Sequence, residues 1–321
     1  MTSKDLLRVV VALAAAATLP LFVAANTALN FAVFTLIIAL AAQGWNILAG
    51  FGGGFSFGHA AFFGTGAYAT ALLQARTGIN AWAAFAGGIA LGALVGRIIG
   101  GLAFRAGLRG SYFALVTLAF AEVFRILANA WDFTGGAAGV LTRLDPRPAN
   151  MQFADRGSFY WLALAFVGAA LLLTARVASS RFGARLVALR ENEDAARALG
   201  VDVVATKLHA ITLSAGVTAA AGGLYAQYFL FVDPGIAYGT WISVEALLAP
   251  IIGGLGTVWG PVIGAVALHG LGQLAKGAAG AVPGVDLVAY GVLLILAVAF
   301  APRGLLGLLR GPLDRVRGAR R

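Results

Sequence analysis

Leu29-Asn30-Phe31-Ala32-Val33-Phe34-Thr35-Leu36-Ile37-Ile38-Ala39-Leu40-Ala41-Ala42-Gln43-Gly44-Trp45-Asn46-Ile47-Leu48-Ala49 carries no charged side chain over 21 consecutive residues. About 20 apolar residues in helical form, rising 1.5 Å each, cross roughly 30 Å of hydrocarbon. This stretch therefore predicts a transmembrane helix. It is one of ten such runs, at 8–26, 29–49, 56–75, 80–101, 110–130, 158–178, 206–232, 240–258, 261–279 and 284–302. The runs 240–258 and 261–279 are divided only by a Gly253–Pro261 stretch, so a bent helix with a re-entrant piece is the alternative there. The first run follows Lys4 and Arg8 and ends in Val23-Ala24-Ala25, a pattern a secretory cleavage site would also show. Its length, and nine further runs with no soluble domain between them, favour an anchor.

Composition agrees. Of 321 residues 60% are hydrophobic and only 11% charged, with 44 glycines and mean hydropathy +0.88. A water-facing surface needs about 25% charged residues. Soluble enzymes, nucleic-acid binders and disordered linkers are excluded on that ground, and the bilayer is the expected surrounding. The expected fold is an all-α polytopic membrane protein with about ten transmembrane helices (8–10), forming a single domain over 1–321. The chain has no cysteine, which removes disulfides, thiolate metal sites and thiol catalysis.

Orientation follows from Lys and Arg placement. With the N-terminus inside, seventeen basic residues fall on inner segments and five on outer ones, with Arg125 inside a span. Both termini, the 179–205 segment and the basic tail 303–321 are then expected in the cytoplasm, and the 131–157 loop outside. In the inner segment Phe182, Leu186, Leu189, Ala196 and Leu199 recur at helical spacing, and Gly200 closes the pattern. A short amphipathic helix lying on lipid headgroups is one reading. The acidic Glu191, Glu193 and Asp194 weigh against anionic lipid and for docking into a protein groove. The outer loop, from Trp131 to about Gly157, is longer than ordinary connections, which makes it either an inert link or a binding element.

No Gly-Lys-[Ser/Thr] exists among Lys4, Lys207 and Lys276, so no Walker A loop can form. Three dispersed histidines and no carboxylate clusters in the spans leave no metal or acid–base centre, and no catalytic or cofactor-binding residue is expected. Transport powered by nucleotide would need another chain to hydrolyse it.

Gly50-Phe51-Gly52-Gly53-Gly54-Phe55-Ser56-Phe57-Gly58-His59 interrupts two spans with five glycines. Backbone leaves helical form at membrane depth only where protein or a wet cavity satisfies it. Gly53, Gly54, Ser56 and His59 are therefore candidate pathway residues, against a bland reading as small-residue helix packing. A second knot, Gly253-Gly254-Leu255-Gly256-Thr257-Val258-Trp259-Gly260-Pro261, lies 200 residues on, and Gly53/Gly253, Gly54/Gly254, Gly64/Gly264 and Ala67/Ala267 coincide at that offset. Gly253 and Gly254 join the candidates, and an internal repeat is a possible reading. Glu122 and Arg125, three apart, are expected to pair on one helix face as a structural pair. Glu245 has no partner within its own span and is expected near the outer interface beside Trp241; His269 reads as a satisfied core residue.

Four stretches taken together resemble a known family: Asn46 to Gly64, Leu108-Arg109-Gly110-Ser111-Tyr112-Phe113-Ala114 through Glu122, Ala188-Leu189-Arg190-Glu191 through Gly200, and Glu245 through Pro261. The closing Pro302-Arg303-Gly304-Leu305-Leu306-Gly307 and the outer Thr134-Gly135-Gly136 fit the same pattern. The chain resembles the M-type permease subunit of the Liv family, bacterial ABC importers of branched-chain amino acids. The resemblance implies an inner-membrane heterodimer with a second, similar permease. It also implies two cytoplasmic ATPase subunits, which use the ATP, and a periplasmic amino-acid-binding protein. It further implies that 185–200 is the helix coupled to the ATPase, which gives Arg190, Glu191, Glu193, Asp194, Arg197 and Gly200 that role. Gly52-Gly53-Gly54 departs from relatives that carry a bulkier or polar residue there. Relatives that import urea or short amides form the alternative within the same superfamily. An ion-coupled secondary transporter using Glu122, Arg125 or Glu245 is the alternative outside it.

Overall fold

The computed structural model describes residues 3–22 and 25–279, and beyond these 284, 288, 291–292 and 304–307. Most of the predicted run 284–302 and of the tail 303–321 therefore lies outside the described residues. The helices are α1 (Ser3–Ala17), α2 (Leu19–Phe22), α3 (Asn26–Trp45), α4 (His59–Thr77), α5 (Ala81–Arg105), α6 (Gly110–Ala130) and α7 (Arg156–Ala178). They continue with α8 (Arg181–Glu191), α9 (Glu193–Ala198), α10 (Val203–Phe229), α11 (Pro234–Ala237), α12 (Thr240–Gly253) and α13 (Gly260–Ala279). The protein is all-α and polytopic in character. Among the described residues six helical stretches are both long and apolar enough to cross a membrane: Asn26–Phe51, Ala81–Arg105, Gly110–Ala130, Arg156–Ala178, Val203–Phe229 and Pro234–Gly253. Val9–Phe22 and Gly260–Leu274 are apolar but shorter. α4 is absent from both groups because it carries glycine, threonine and glutamine. It does not need a greasy surface, since most of its length is buried inside the protein.

α10 is the central post, packed on α3, α4 and α5. Its approach to α5 rests on two meshed stripes of small residues. Gly92, Gly96 and Gly100 recur every fourth residue on α5, opposite Ala219, Ala215 and Ile211 at the same spacing on α10, while Gly88, one step earlier, faces Gly66 and Thr70 of α4. A Cβ at Gly92 would run into the Ala219 methyl, and one at Gly96 into that of Ala215. Where lipid is as apolar as leucine, close backbone approach through small residues is what holds helices together. The main core fills the remaining space with Trp45, Phe62, Phe63, Ile37, Leu40 and Leu171, all nearly inaccessible.

Two departures from the sequence reading concern element ends. The run 206–232 is helical only to Phe229: Leu230 takes a left-handed conformation (φ 56°), and Phe231–Val232 form a strand, β2. β2 pairs antiparallel with β1 (Val140–Leu141), Val140 opposite Val232. The 131–157 connection is thereby pinned to the end of α10. The 179–205 segment is two helices rather than one, because Asn192 is extended (φ −157°, ψ 107°) and caps α9 by accepting from the Ala195 N–H. Leu186, Leu189 and Ala196 are buried as the spacing predicts, but Leu199, past the end of α9, is 86% exposed. Gly200 closes the segment with a positive φ of 85°.

Candidate functional site

The two glycine knots, 200 residues apart in sequence, touch. α3 widens at its end into a π-helical turn, Asn46–Phe51, a feature that recurs at functional sites. There Asn46 turns its amide across to the second knot: Nδ2 donates to the Thr257 carbonyl at 2.9 Å and Oδ1 accepts from the Gly256 N–H at 2.9 Å. One turn earlier Gln43 donates to the Val258 carbonyl at 2.8 Å and accepts from the Thr174 hydroxyl at 3.1 Å. The broken backbone between α12 and α13 is thus satisfied by side-chain amides, which is what permits it within the packed bundle. Gly50 has no room for a side chain: its Cβ would meet the Asn46 amide, and would lie 2.7 Å from the Gly256 nitrogen. Gly304 and Leu306, from the family-like tail motif, pack on Gly254.

α8 seats on this junction. Arg190 donates from Nη1 to the Gly50 carbonyl at 2.8 Å. A Cβ on Gly53 would stand 3.3 Å from the Arg190 Cα, and Gly53 also has φ 69°, so both space and backbone conformation require glycine there. Beside it an ionic cluster fastens α9. Glu193 bonds Lys207 at the start of α10, Arg109 at 3.1 Å and Arg197 at 3.3 Å. Asp194 adds Arg109 at 3.6 Å and Arg197 at 3.4 Å, and Glu191 pairs with Arg190 at 2.7 Å. The Glu193 and Lys207 side chains are each 15% exposed, so that contact is the least screened. Gly53, Gly54, Arg109, Arg190, Glu193 and Lys207 line a cavity of about 100 Å³. The structure therefore brings together Gly53, Gly54, Gly253, Gly254, Arg190, Glu193, Asp194 and Arg197, which the sequence offered as two unrelated groups.

Ser56 and His59 stand apart from this junction in a closed polar chain. Ser214 donates to the Gly44 carbonyl at 2.7 Å, so it accepts from His59 Nε2 at 2.8 Å. Nδ1 is then free to accept from Ser56 Oγ at 3.1 Å. His59 is fully buried and both ring nitrogens are used internally. Glu245 is buried as well, 7% exposed, and faces His269 Nε2 at 3.4 Å, while His269 Nδ1 meets the Thr35 hydroxyl at 3.0 Å. Glu245 thus has a partner that its own span does not supply: it comes from α13, folded back on α12 by the second knot. Glu122 and Arg125 pair as predicted, Arg125 Nε to Glu122 Oε2 at 2.9 Å. In the 131–157 connection the Thr134 hydroxyl shares its one hydrogen between the Ala128 and Trp131 carbonyls, capping the end of α6.

Residues 27–298 match the family model described as branched-chain amino acid transport system / permease component. The chain belongs to that permease family. Within it, the chain is 30% identical to the high-affinity branched-chain amino acid transport system permease protein LivM of Escherichia coli, over 99% of this chain and 79% of that protein. It is 29% identical to LivM of Salmonella typhimurium over 90% of this chain and 72% of that one. A shorter likeness, 30% over 43% of this chain and 44% of the other, links it to the LivH permease of Escherichia coli. No solved structure gives a significant match. The α8–α9 segment and both knots fall inside the matched residues, so the junction belongs to the permease body itself.

Proposed function

We propose that this chain is one membrane-spanning permease subunit of an ATP-binding-cassette importer for branched-chain or related amino acids. It forms half of the translocation pathway and hydrolyses nothing itself. In this reading it crosses the inner membrane ten times with both termini and α8–α9 in the cytoplasm, and the two helix–knot–helix units are halves of an internal repeat. A second permease, two ATPase subunits and an external binding protein complete the machine. The observation that carries the reading is the seating of Arg190 on Gly50 and Gly53. A lever at the surface that ends on the only two broken backbones in the described bundle core can move both when it is pulled. Binding of nucleotide by the ATPases would shift α8–α9, and the permease halves would change which side they open to.

The test is uptake by the assembled complex, purified by co-expression with its genomic neighbours and reconstituted with the binding protein. Leucine, isoleucine and valine should enter vesicles only with ATP inside the ATPase compartment. Replacing Glu191, Glu193 and Asp194 together with alanine should abolish that uptake and weaken retention of the ATPases. Accumulation driven by an ion gradient, by this chain alone, overturns the reading; ATP-driven entry of urea in place of leucine reassigns the cargo.

A further inference from the structure

α6 has a broad face that no other part of the described chain covers: Leu115, Val123 and Ile126 are about half or more exposed, and Ala119 is exposed between them. On the flank of that face stands the Glu122–Arg125 pair, with side chains 43% and 38% exposed. Glu122 is twelve residues from Gly110 and eight from Ala130, hence about 18 Å and about 12 Å from the helix ends. That is the depth at which hydrocarbon tolerates charge least, and ionisable groups there turn to protein or to a water-filled cavity. A lipid-facing α6 would hold this pair against acyl chains. The pair is an open fork, two N–H groups of Arg125 on two oxygens of Glu122, and each half matches one end of a zwitterion.

We infer that this face of α6 lines the water-filled solute route, and that Glu122 and Arg125 take the ammonium and carboxylate of a zwitterionic amino acid. The inference rests on the importer reading above. The exchange of partners conserves charge: each carboxylate keeps a cation and each cation a carboxylate throughout, so no net charge is ever placed at depth. Ala119 and Ile126 lie one turn before and after Glu122 and Leu115 two turns before it, on the same side of the helix. An aliphatic side chain therefore finds apolar surface beside the polar fork, whereas urea has neither charged end to offer.

The chain contains no cysteine, so a label found on this subunit after single cysteines are placed at Ala119, Val123 and Ile126 reports only their own surroundings. In the assembled importer, each should react with a membrane-impermeant, charged methanethiosulfonate, because the reacting thiolate forms in water. Reaction only with a lipid-soluble maleimide, or with neither reagent, overturns the inference. Glu122→Gln and Arg125→Gln should assemble with the other subunits yet lower leucine uptake at least about tenfold, a loss of about 1.4 kcal/mol or more in transition-state stabilisation. The reversed pair, Glu122→Arg with Arg125→Glu, should not restore it; recovery by reversal would mean that the pair only neutralises itself, which also overturns the inference. Should the charge variants fail to assemble, the cysteine pattern alone decides. Should the wild-type complex import nothing with ATP, the importer reading fails instead, and the reagent pattern still reports whether α6 faces water.

Discussion

Asn46 replaces two missing backbone partners with a single side chain, and this sets the cost of losing it. Asn46→Leu leaves the Gly256 N–H and the Thr257 carbonyl unpaired beside a fully buried position. Each orphaned group costs about 1–3 kcal/mol. The variant should unfold in detergent several degrees below the parent and lose uptake in proportion to the complex that survives. Asn46→Asp should be worse still, since it sets a carboxylate oxygen against the Thr257 carbonyl; a melting point unchanged in either would refute the bridge. The glycines around this residue are legible in sequence as breaks, because so many in so few positions have little other use between two apolar runs. Asn46 itself is not, since its partners lie 210 and 211 residues away. Glu245 is a similar case: a lone carboxylate in an apolar run gives no hint of His269 until the Gly254–Trp259 break folds α13 back along α12.

Between elements, spacing carries more than identity. Nine of the ten apolar runs overlap described helices, and six of these are long and apolar enough to cross a bilayer, a demand on length and apolarity that sequence displays directly. The break at Asn192 and the early end of α10 at Phe229 were hidden, since each depends on one residue's backbone conformation and its cap. The four-residue glycine stripe of α5 was visible but indistinguishable from the general abundance of glycine until α10 supplied Ala215 and Ala219 opposite it. That stripe predicts a sharp contrast. Gly92→Leu forces atoms into the Ala219 methyl between two rigid backbones, and overpacking of this kind costs about 1–3 kcal/mol. Gly101→Leu, on the same helix with nothing within 4 Å of its Cβ, should be neutral or slightly stabilising through helix propensity. Thermal unfolding of the two variants side by side measures the difference, and equal midpoints would remove the glycine stripe as the basis of the α5–α10 contact.

At the scale of the whole molecule, on the importer reading proposed above, the arrangement makes α9 a clamp on the lever. Arg190 connects α8 to the knots, and α9 meets α8 through extended Asn192 and through an apolar cluster of Leu189, Ala196 and Val203, so a pull on α9 is carried best where α9 is also tied to the bundle by charge. Glu193 is that tie, reaching Lys207 on α10 and Arg109 just ahead of α6. Its partners differ in strength: the Arg109 and Arg197 side chains are 47% and 54% exposed and screened by solvent, whereas Lys207 is 15% exposed and also lies 5.8 Å over the Phe104 ring. Lys207→Met keeps the aliphatic packing and removes the charge; Glu193→Gln keeps the shape and removes its own. Each should leave ATP hydrolysis by the assembled complex near the parent rate while lowering the leucine imported per ATP several-fold, because the ATPases would move a lever that slips. The two changes remove one contact between them, so the double variant should lose less than the product of the single losses. Raising the ionic strength separates the cases further. A surface network fades over a Debye length of about 8 Å at physiological salt and about 3 Å at 1 M, so if the exposed arginines were the tie, high salt would uncouple the parent as fully as Lys207→Met does. If Lys207 holds α9, the parent stays coupled at high salt and the variant does not.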